Sequence, residues 1–492
     1  MAARLALRQF NLSTVEDNLR WALRLDPAFG LARADLLPML RGLGRADELA
    51  TVAKALVADD DGPSGPVLTE HARLHLDALM LVAADRRAEA IPKLHAILDR
   101  YPFDVDAADL LMAVRADGAT RDFQEVETIA RRQLALAPRL ETPASRLIRV
   151  LGTRNRAAEA DALFRTLGLD RADPTLEDLF AELDLFAGRF TDASRGFTKA
   201  FATEPGNLYA EHMAIAAELL GGRCDKAAGL ALDRIERKKL LGKDALLGWT
   251  YSLAVQALVC WEQWDGLEQV LTRWAAHDDS GRDQAFGMRE RALFTRARIL
   301  PVAARPARLA ELEARWTRML DARSVIPTNT RGQIENLVLQ VTRDRTRLER
   351  LLAVAEHDAS DLNVPAVQRS DGRLRVARLR GRLALLGVSA PGGTTAPAPA
   401  PTSVLEHYDD AVLDWSDVHG EGDTSARVEG LSQRADAATA LASRASHPED
   451  AARFAAKAEA DWRAIVALGY PRLWVTDLWV VARHRLDEAR RP

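Results

Sequence analysis

The chain has 492 residues, of which 28% are charged and 6% aromatic, and its formal net charge is −4. This balance does not indicate nucleic acid or an anionic membrane as a partner. Two cysteines, Cys224 and Cys260, are too few for a disulfide framework and match no metal-ligand spacing. No stretch approaches the ~20 apolar residues that span a bilayer, and the first residues lack the apolar core of a secretion signal. We therefore expect a cytoplasmic protein without membrane insertion.

The composition also favours one type of secondary structure. Ala, Leu and Arg are abundant, and runs of β-branched residues are scarce. Ala, Leu and Arg have high helix propensities, whereas β-branched residues favour strands. The chain is therefore expected to be all-α.

The first recurring pattern along the chain is a helical stretch that ends shortly before a proline. It precedes Pro27, Pro102 and Pro138, and each copy has small or apolar residues twelve and eight positions ahead of its proline. Proline cannot continue a helix, and residues four apart share one helix face. The pattern predicts helices whose packed faces carry Val15, Leu19 and Ala22, then Ala90, Leu94 and Ile97, then Val126, Ala130 and Gln133.

The clearest copy covers residues 185–207, with the sequence LFAGRFTDASRGFTKAFATEPGN. It closely resembles the second half of a tetratricopeptide repeat. The step from Pro102 to Pro138 is 36 residues and that from Pro138 to Pro205 is 67, close to one and two repeats of roughly 34 residues. The resemblance assigns the turn to Gly188, the aromatic positions to Phe190 and Phe197, the small packing positions to Ala193 and Ala200, and the exit turn to Pro205.

The resemblance implies a fold and a function. The fold is a right-handed superhelix of helical hairpins, and the function is that of a scaffold or adaptor that holds a protein or peptide in its concave groove. The first helix of each hairpin would line that groove, with Arg73, Asp77, Glu177, Asp184, Glu211 and Glu218 as exposed candidate binding residues. The alternatives are a regulatory or sensor subunit of a larger system, with the acidic linker-tethered tail as a latch, and an enzyme with an unrecognised site. Self-association through the ends of the superhelix is a further option, and no cofactor, metal or nucleic acid is expected.

The chain divides into four predicted parts: repeats over 1–243, further hairpins over 244–388, a Pro/Ala/Gly-rich linker over 389–403 and a C-terminal helical segment over 404–492. Whether 244–388 continues the superhelix or forms a separate bundle is left open. Trp462, Leu478, Trp479 and Val481 are expected in a core, as is Trp474. Helices beyond the repeats are predicted over 289–300, 307–322, 330–357, 372–386, 426–445, 448–468 and 471–489.

An acidic segment at 406–423 follows the linker. It holds two histidines and seven carboxylates without a lysine or arginine, and His407, Asp410 and Asp414 have helical spacing. Such a segment is open to three interpretations: a metal site, a docking strip for a basic partner, or a solvated acidic edge.

Two basic clusters, at 234–243 and 369–382, offer phosphate or peptide contacts. Arg375, Arg378 and Arg382 fall on one helix face of the second cluster, so the acidic segment could also dock there by charge. Catalytic motifs are missing: there is no Walker-type loop, no Gly-x-Ser-x-Gly and no His-Glu-x-x-His.

Overall fold

The computed structural model describes most of the chain as helices and short turns. The described residues are 12–27, 29–42, 48, 51–52, 54–55, 70–84, 86–116, 122–138, 140–153, 156–239, 247–277, 279–321, 328–361, 366–389, 401–409, 424–467 and 476–490. These residues contain 23 α-helices, one 3₁₀ turn at Pro174–Leu176 and no strand. The predicted all-α class is therefore confirmed.

The chain forms two compact units. The first consists of Met1–Glu218 and Leu230–Thr250, and the second of Leu219–Gly229 and Tyr251–Pro492. The predicted four-part division stays a prediction.

The helices up to residue 260 are short, between 10 and 16 residues each. In chain order they are α1 Leu12–Leu25, α2 Gly30–Gly42, α3 Glu70–Ala83, α4 Arg87–Arg100, α5 Val105–Arg115, α6 Phe123–Leu136, α7 Glu141–Thr153, α8 Ala157–Thr166, α9 Glu177–Phe186, α10 Phe190–Thr203, α11 Leu208–Leu220, α12 Cys224–Lys239 and α13 Leu247–Cys260.

The later helices include several longer ones. They are α14 Trp264–Ala275, α15 Asp279–Ile299, α16 Arg305–Asp321, α17 Thr328–Val341, α18 Arg345–Ser360, α19 Ala366–Ser389, α20 Pro401–Glu406, α21 Thr424–Ala442, α22 Pro448–Ala467 and α23 Thr476–Ala489.

Four helices share one register relative to a proline. Helices α1, α4, α6 and α10 each have 14 residues, and each ends two residues before its proline. Side chains twelve positions before the proline are at most 1% exposed, and those eight positions before it at most 5%. The four segments are therefore repeats of one helix with one buried face, at Val15 and Leu19, Ala90 and Leu94, Val126 and Ala130, and Ala193 and Phe197.

A tight hairpin joins α9 to α10. Gly188 lies in the connecting turn with φ 78°, a left-handed conformation that glycine adopts without a steric penalty. Across the hairpin, a Cβ built on Gly196 would come within 2.8 Å of the Cβ of Ala181. The small residues therefore let the two helix backbones approach closely.

Successive hairpins stack through their first helices. Helix α5 contacts α7, and α7 contacts α9, while each of them also packs on the helix that follows it in the chain. Buried side chains from α5 to α9 form one continuous hydrophobic cluster, in which the rings of Phe164 and Phe180 pack edge to face at 6.2 Å. Each hairpin thus buries its apolar side against its neighbours, as in a helical repeat array.

Helix bounds in the second unit differ from the predicted ones, and one predicted helix is two: α15 begins at Asp279 and not at 289, and α19 is longer at both ends than the predicted 372–386. The single helix predicted over 330–357 is wrong, because α17 ends at Val341 and α18 begins at Arg345. Asp344 is the N-cap of α18: its side chain accepts a hydrogen bond from the backbone amide of Arg347 at 3.0 Å. An aspartate that caps an amide starts a new helix, and this outweighs the apolar pattern that continues through it.

The C-terminal helices are built into the second unit. Trp462, Leu478 and Val481 are buried in one cluster, and Trp479 packs partly buried against it, which confirms their predicted core role. Trp474 lies outside the described residues. Helix α23 packs on α15 and α21 on α19, so helices α21, α22 and α23 contribute core to this unit.

The two cysteines are joined, although the sequence assigned them no structural role. Cys224, the first residue of α12, forms a disulfide with Cys260, the last residue of α13, and their Cα atoms are 5.8 Å apart. Both residues belong to the second unit. The predicted cytoplasmic location stays a prediction.

Candidate functional site

Three of the predicted groove residues are buried, so the exposure expected for Asp184, Glu211 and Glu218 is wrong. Asp184 accepts hydrogen bonds from Arg171 at 3.0 Å and from Arg189 at 2.8 Å. A buried carboxylate needs such partners, since an unpaired charge is costly inside a protein.

Glu211 and Glu218 are likewise held by neighbouring side chains. Glu211 pairs with Arg234 and with Arg237, the latter at 2.6 Å. The hydroxyl of Ser194 donates to Glu218 across the interface of α10 and α11. These carboxylates therefore stabilise the stack internally.

The other three candidates lie nearer to the solvent. Arg73 is exposed, and Asp77, one helical turn further along α3, is half-buried and pairs with Lys93 of α4 at 2.9 Å. Glu177, the first residue of α9, pairs with Lys199 of α10. Partner binding by these residues stays a prediction.

The structure also brings together a polar network that the sequence did not reveal. Arg149 of α7 donates to Glu182 of α9 at 2.6 Å and to the hydroxyl of Tyr209 of α11 at 2.6 Å. Ser145 donates to the second oxygen of Glu182 at 2.5 Å, and Tyr209 donates to the first at 2.9 Å. One carboxylate thus connects three first helices. We call Ser145, Arg149, Glu182 and Tyr209 the first-helix network.

The electrostatics of this network favour a charged Arg149 and a neutral Tyr209. The negative charge of Glu182 raises the pKa of Arg149. Burial raises the pKa of Tyr209, which keeps its hydroxyl protonated as a hydrogen-bond donor. The arginine side chain stays partly exposed above the buried carboxylate, so the network reaches the surface of the first helices at Arg149.

A second cluster has the composition of a metal site. The Nε2 atoms of His71 and His75 lie 2.5 Å and 2.9 Å from Oδ2 of Asp104. Asp104 is the N-cap of α5, and its Oδ1 accepts the backbone amide of Ala107 at 2.9 Å. Among the described side chains, these three form a group of His and Asp close enough together to hold an ion. The i, i+4 histidine pair is visible in the sequence, but Asp104, 29 residues beyond His75, is not.

Three arginines of the two basic clusters make internal contacts. Arg234 is fully buried, so its predicted role in a surface cluster is wrong. Arg378 pairs with Glu429, and Arg382 donates to the backbone carbonyls of Val341 and Thr342. Burial lowers the pKa of Arg382. These arginines therefore connect α19 to neighbouring helices.

Helix α20 and the turn that follows it contact α19 through apolar side chains. The ring of Tyr408 lies against Gly381, where a Cβ would come within 2.3 Å of it. Val404 and Tyr408 are buried in a cluster with Leu385. Asp409 at the start of the acidic segment pairs with Arg434 at 2.7 Å. The remaining acidic positions, 410–423, lie outside the described residues, so their proposed docking stays a hypothesis.

A buried histidine makes the first unit sensitive to acid. Burial lowers the pKa of His212 from 6.5 to about 4, and its Nδ1 has no hydrogen-bond partner among the described residues. Below pH 6.5 the unfolded chain takes up a proton that the folded chain refuses, so stability falls until about pH 4. At pH 5 the loss amounts to about 2 kcal/mol. His212→Leu is expected to remove this part of the pH dependence from the opening free energy of α11, measured by hydrogen exchange at pH 7 and pH 5.

The control for this measurement is His357→Leu, since His357 is exposed on α18. It should leave the difference between the two pH values unchanged. An equal difference for His212→Leu and the wild-type chain would contradict the assignment.

In the part of the chain that the structure describes, no helix is both long and apolar enough to cross a membrane. No protein-family model matches the chain, and no curated protein matches it. Among solved structures, the chain is similar to one described as Naa15/Naa10 bound to HypK-THB. The sequence identity is 12% and the TM-score 0.23, over 99% of this chain and 78% of that one. This TM-score is too low to infer a shared fold or function. The fold itself defines the class: an all-α protein of stacked helices.

Proposed function

We propose that this protein is a non-catalytic scaffold or adaptor of the tetratricopeptide type, which holds a protein or peptide on the first helices of its hairpins. The observation that carries the proposal is the in-register stack: α5, α7 and α9 lie side by side, while α4, α6 and α10 repeat one length and one buried face. Repeat arrays of this kind offer extended surfaces that a partner chain can follow.

The chemistry of the first-helix surface supports a charged or polar partner. Arg73 and Asp77 lie on one face of α3, one turn apart, and Arg149 is partly exposed on α7. Arginine donates through a planar fork that fits carboxylates and backbone carbonyls of a peptide. The buried carboxylates Asp184, Glu211 and Glu218 are engaged inside the stack. A partner would therefore be recognised by the more exposed residues of the first helices.

The test is a charge reversal on α3, Arg73→Glu with Asp77→Lys. Tagged protein is purified from the native host, its stoichiometric partner is identified by mass spectrometry, and the affinity is then measured by calorimetry with purified components. Reversing two charges in contact with a partner places like charges opposite one another, so the affinity is expected to fall at least about tenfold.

The matched control reverses an exposed pair on a second helix, Arg195→Glu with Asp192→Lys on α10. These two side chains pair at 3.0 Å and are well exposed. The control makes the same two substitutions as the α3 variant, so the net charge of the chain is unchanged in both. The control should bind as the wild-type chain does. No stoichiometric partner, or equal loss in both variants, would contradict the proposed surface.

Removing the chain beyond α19 is not a suitable test. Residues beyond the linker supply buried core to the second unit, including Tyr408 and Trp462. A truncated chain would expose this core, and any loss of binding would then report unfolding. Point variants on α3 avoid this problem.

A further inference from the structure

We infer that His71, His75 and Asp104 form a binding site for a divalent transition-metal ion, with Zn²⁺ as the expected occupant. The inference is independent of the proposed scaffold function. It starts from the convergence of two imidazole nitrogens on a single carboxylate oxygen, at 2.5 Å and 2.9 Å.

The two histidines are placed by the helix itself. His71 and His75 are four residues apart on α3, so their side chains share one face, and their rings lie 5.3 Å apart at an angle of 77°. A histidine pair at this spacing is the arrangement by which a helix presents two nitrogen ligands to one zinc ion. The ring of Tyr101 packs edge-on against His71 at 4.4 Å and limits its rotation.

The carboxylate is held by the end of a different helix. Oδ1 of Asp104 accepts the amide of Ala107 as an N-cap, which leaves Oδ2 to face both imidazoles. An N-cap needs one oxygen only, so helix capping accounts for Oδ1 and not for the two histidines. A hydrogen bond to a ligating carboxylate fixes its orientation, and such support increases metal affinity.

The ligand set selects the class of ion. Two neutral imidazoles and one carboxylate suit Zn²⁺ and related borderline cations, and not Ca²⁺ or Mg²⁺, which prefer oxygen ligands. Ligand atoms around a tetrahedral zinc lie about 3.3 Å apart, from bond lengths of about 2.0 Å. The present separations are a little shorter, so binding would require a small outward shift of the side chains.

The burial pattern leaves a coordination position for solvent. The side chain of Asp104 is 7% exposed and that of His75 15%, whereas that of His71 is 41% exposed. An ion could therefore enter beside His71, and a water molecule would complete its coordination. Three protein ligands with one open position distinguish this site from a closed structural zinc site.

The experiment uses the untagged full chain, stripped of metal with a chelator and titrated with Zn²⁺ against a chromogenic competitor. We expect the wild-type chain to bind one Zn²⁺ ion per molecule in competition with the chromogenic chelator. His71→Ala and Asp104→Asn should each weaken this binding by at least about 100-fold, because even hydrogen-bond partners of metal ligands are worth about 10- to 100-fold. Asn also caps helices well, so Asp104→Asn preserves the start of α5.

His95→Ala is the matched control. His95 pairs with Glu125 at 2.7 Å and its side chain is 44% exposed. It is a helical histidine beside a carboxylate, and among the described residues it belongs to no group that could hold an ion. The variant His95→Ala should bind one Zn²⁺ ion as tightly as the wild-type chain does. Circular dichroism checks that each variant is folded. The inference would be overturned if the wild-type chain did not compete for Zn²⁺, or if folded His71→Ala and Asp104→Asn bound the ion as tightly as the wild-type chain.

Discussion

Trp316→Ala is expected to destabilise the second unit by about 3 to 5 kcal/mol. Trp316 lies in α16, is fully buried and packs in a cluster with Phe294 and Ile334. Its indole nitrogen donates to the buried Glu290 at 2.8 Å. The substitution therefore leaves a large cavity and removes a hydrogen bond from a buried carboxylate.

A smaller substitution separates these two contributions. Trp316→Phe keeps most of the ring volume but removes the donor to Glu290, and is expected to cost about 1 to 3 kcal/mol. Trp261→Ala is the control, since Trp261 is exposed in the same unit, and it should cost less than about 0.5 kcal/mol. A similar cost for Trp316→Ala and Trp261→Ala would contradict the packing described here.

The measurement should be local to the second unit. A chain with two compact units does not guarantee a two-state transition. Hydrogen exchange of peptides from 279–341, followed by mass spectrometry, reports the opening of α15, α16 and α17 directly. The exchange of α9 and α10 serves as an internal reference.

Glu211→Leu is expected to destabilise the first unit by about 3 to 5 kcal/mol. Its main partner, Arg234, is fully buried, so no part of its side chain is solvated by water. Arg234 also donates to the hydroxyl of Thr250 at 2.9 Å, but a hydroxyl does not neutralise its charge. Removal of the Glu211 carboxylate takes a counter-charge away from this buried cation.

A second substitution tests this explanation. Glu211→Leu combined with Arg234→Met replaces the pair by apolar side chains of similar volume, and most of the lost stability should return. Arg237→Ala removes the partly exposed partner of Glu211, and should cost only about 0.2 to 1 kcal/mol. If the double variant is no more stable than Glu211→Leu, the loss has another origin. Hydrogen exchange of α11 and α12 is the measurement.

Much of the fold could be predicted from local signals. The prolines marked where helices end, and the residues twelve and eight positions ahead of them marked which face is buried, because helix periodicity and proline chemistry act over a few residues. The same local reasoning failed at Asp344, where an N-cap divides one predicted helix into two. The helical spacing of apolar residues continues from α17 into α18, so Asp344 alone indicated that a new helix begins there.

The candidate sites depended on contacts between distant residues. Glu218 and Arg73 are both charged residues on first helices, yet one is buried against Ser194 and the other is exposed. The amino-acid sequence determined the helices, their ends and their apolar faces, since these follow from neighbouring residues. The stacking of hairpins decided that Asp104 meets two histidines and that Glu182 meets Arg149, because such contacts are set by how helices from different repeats pack.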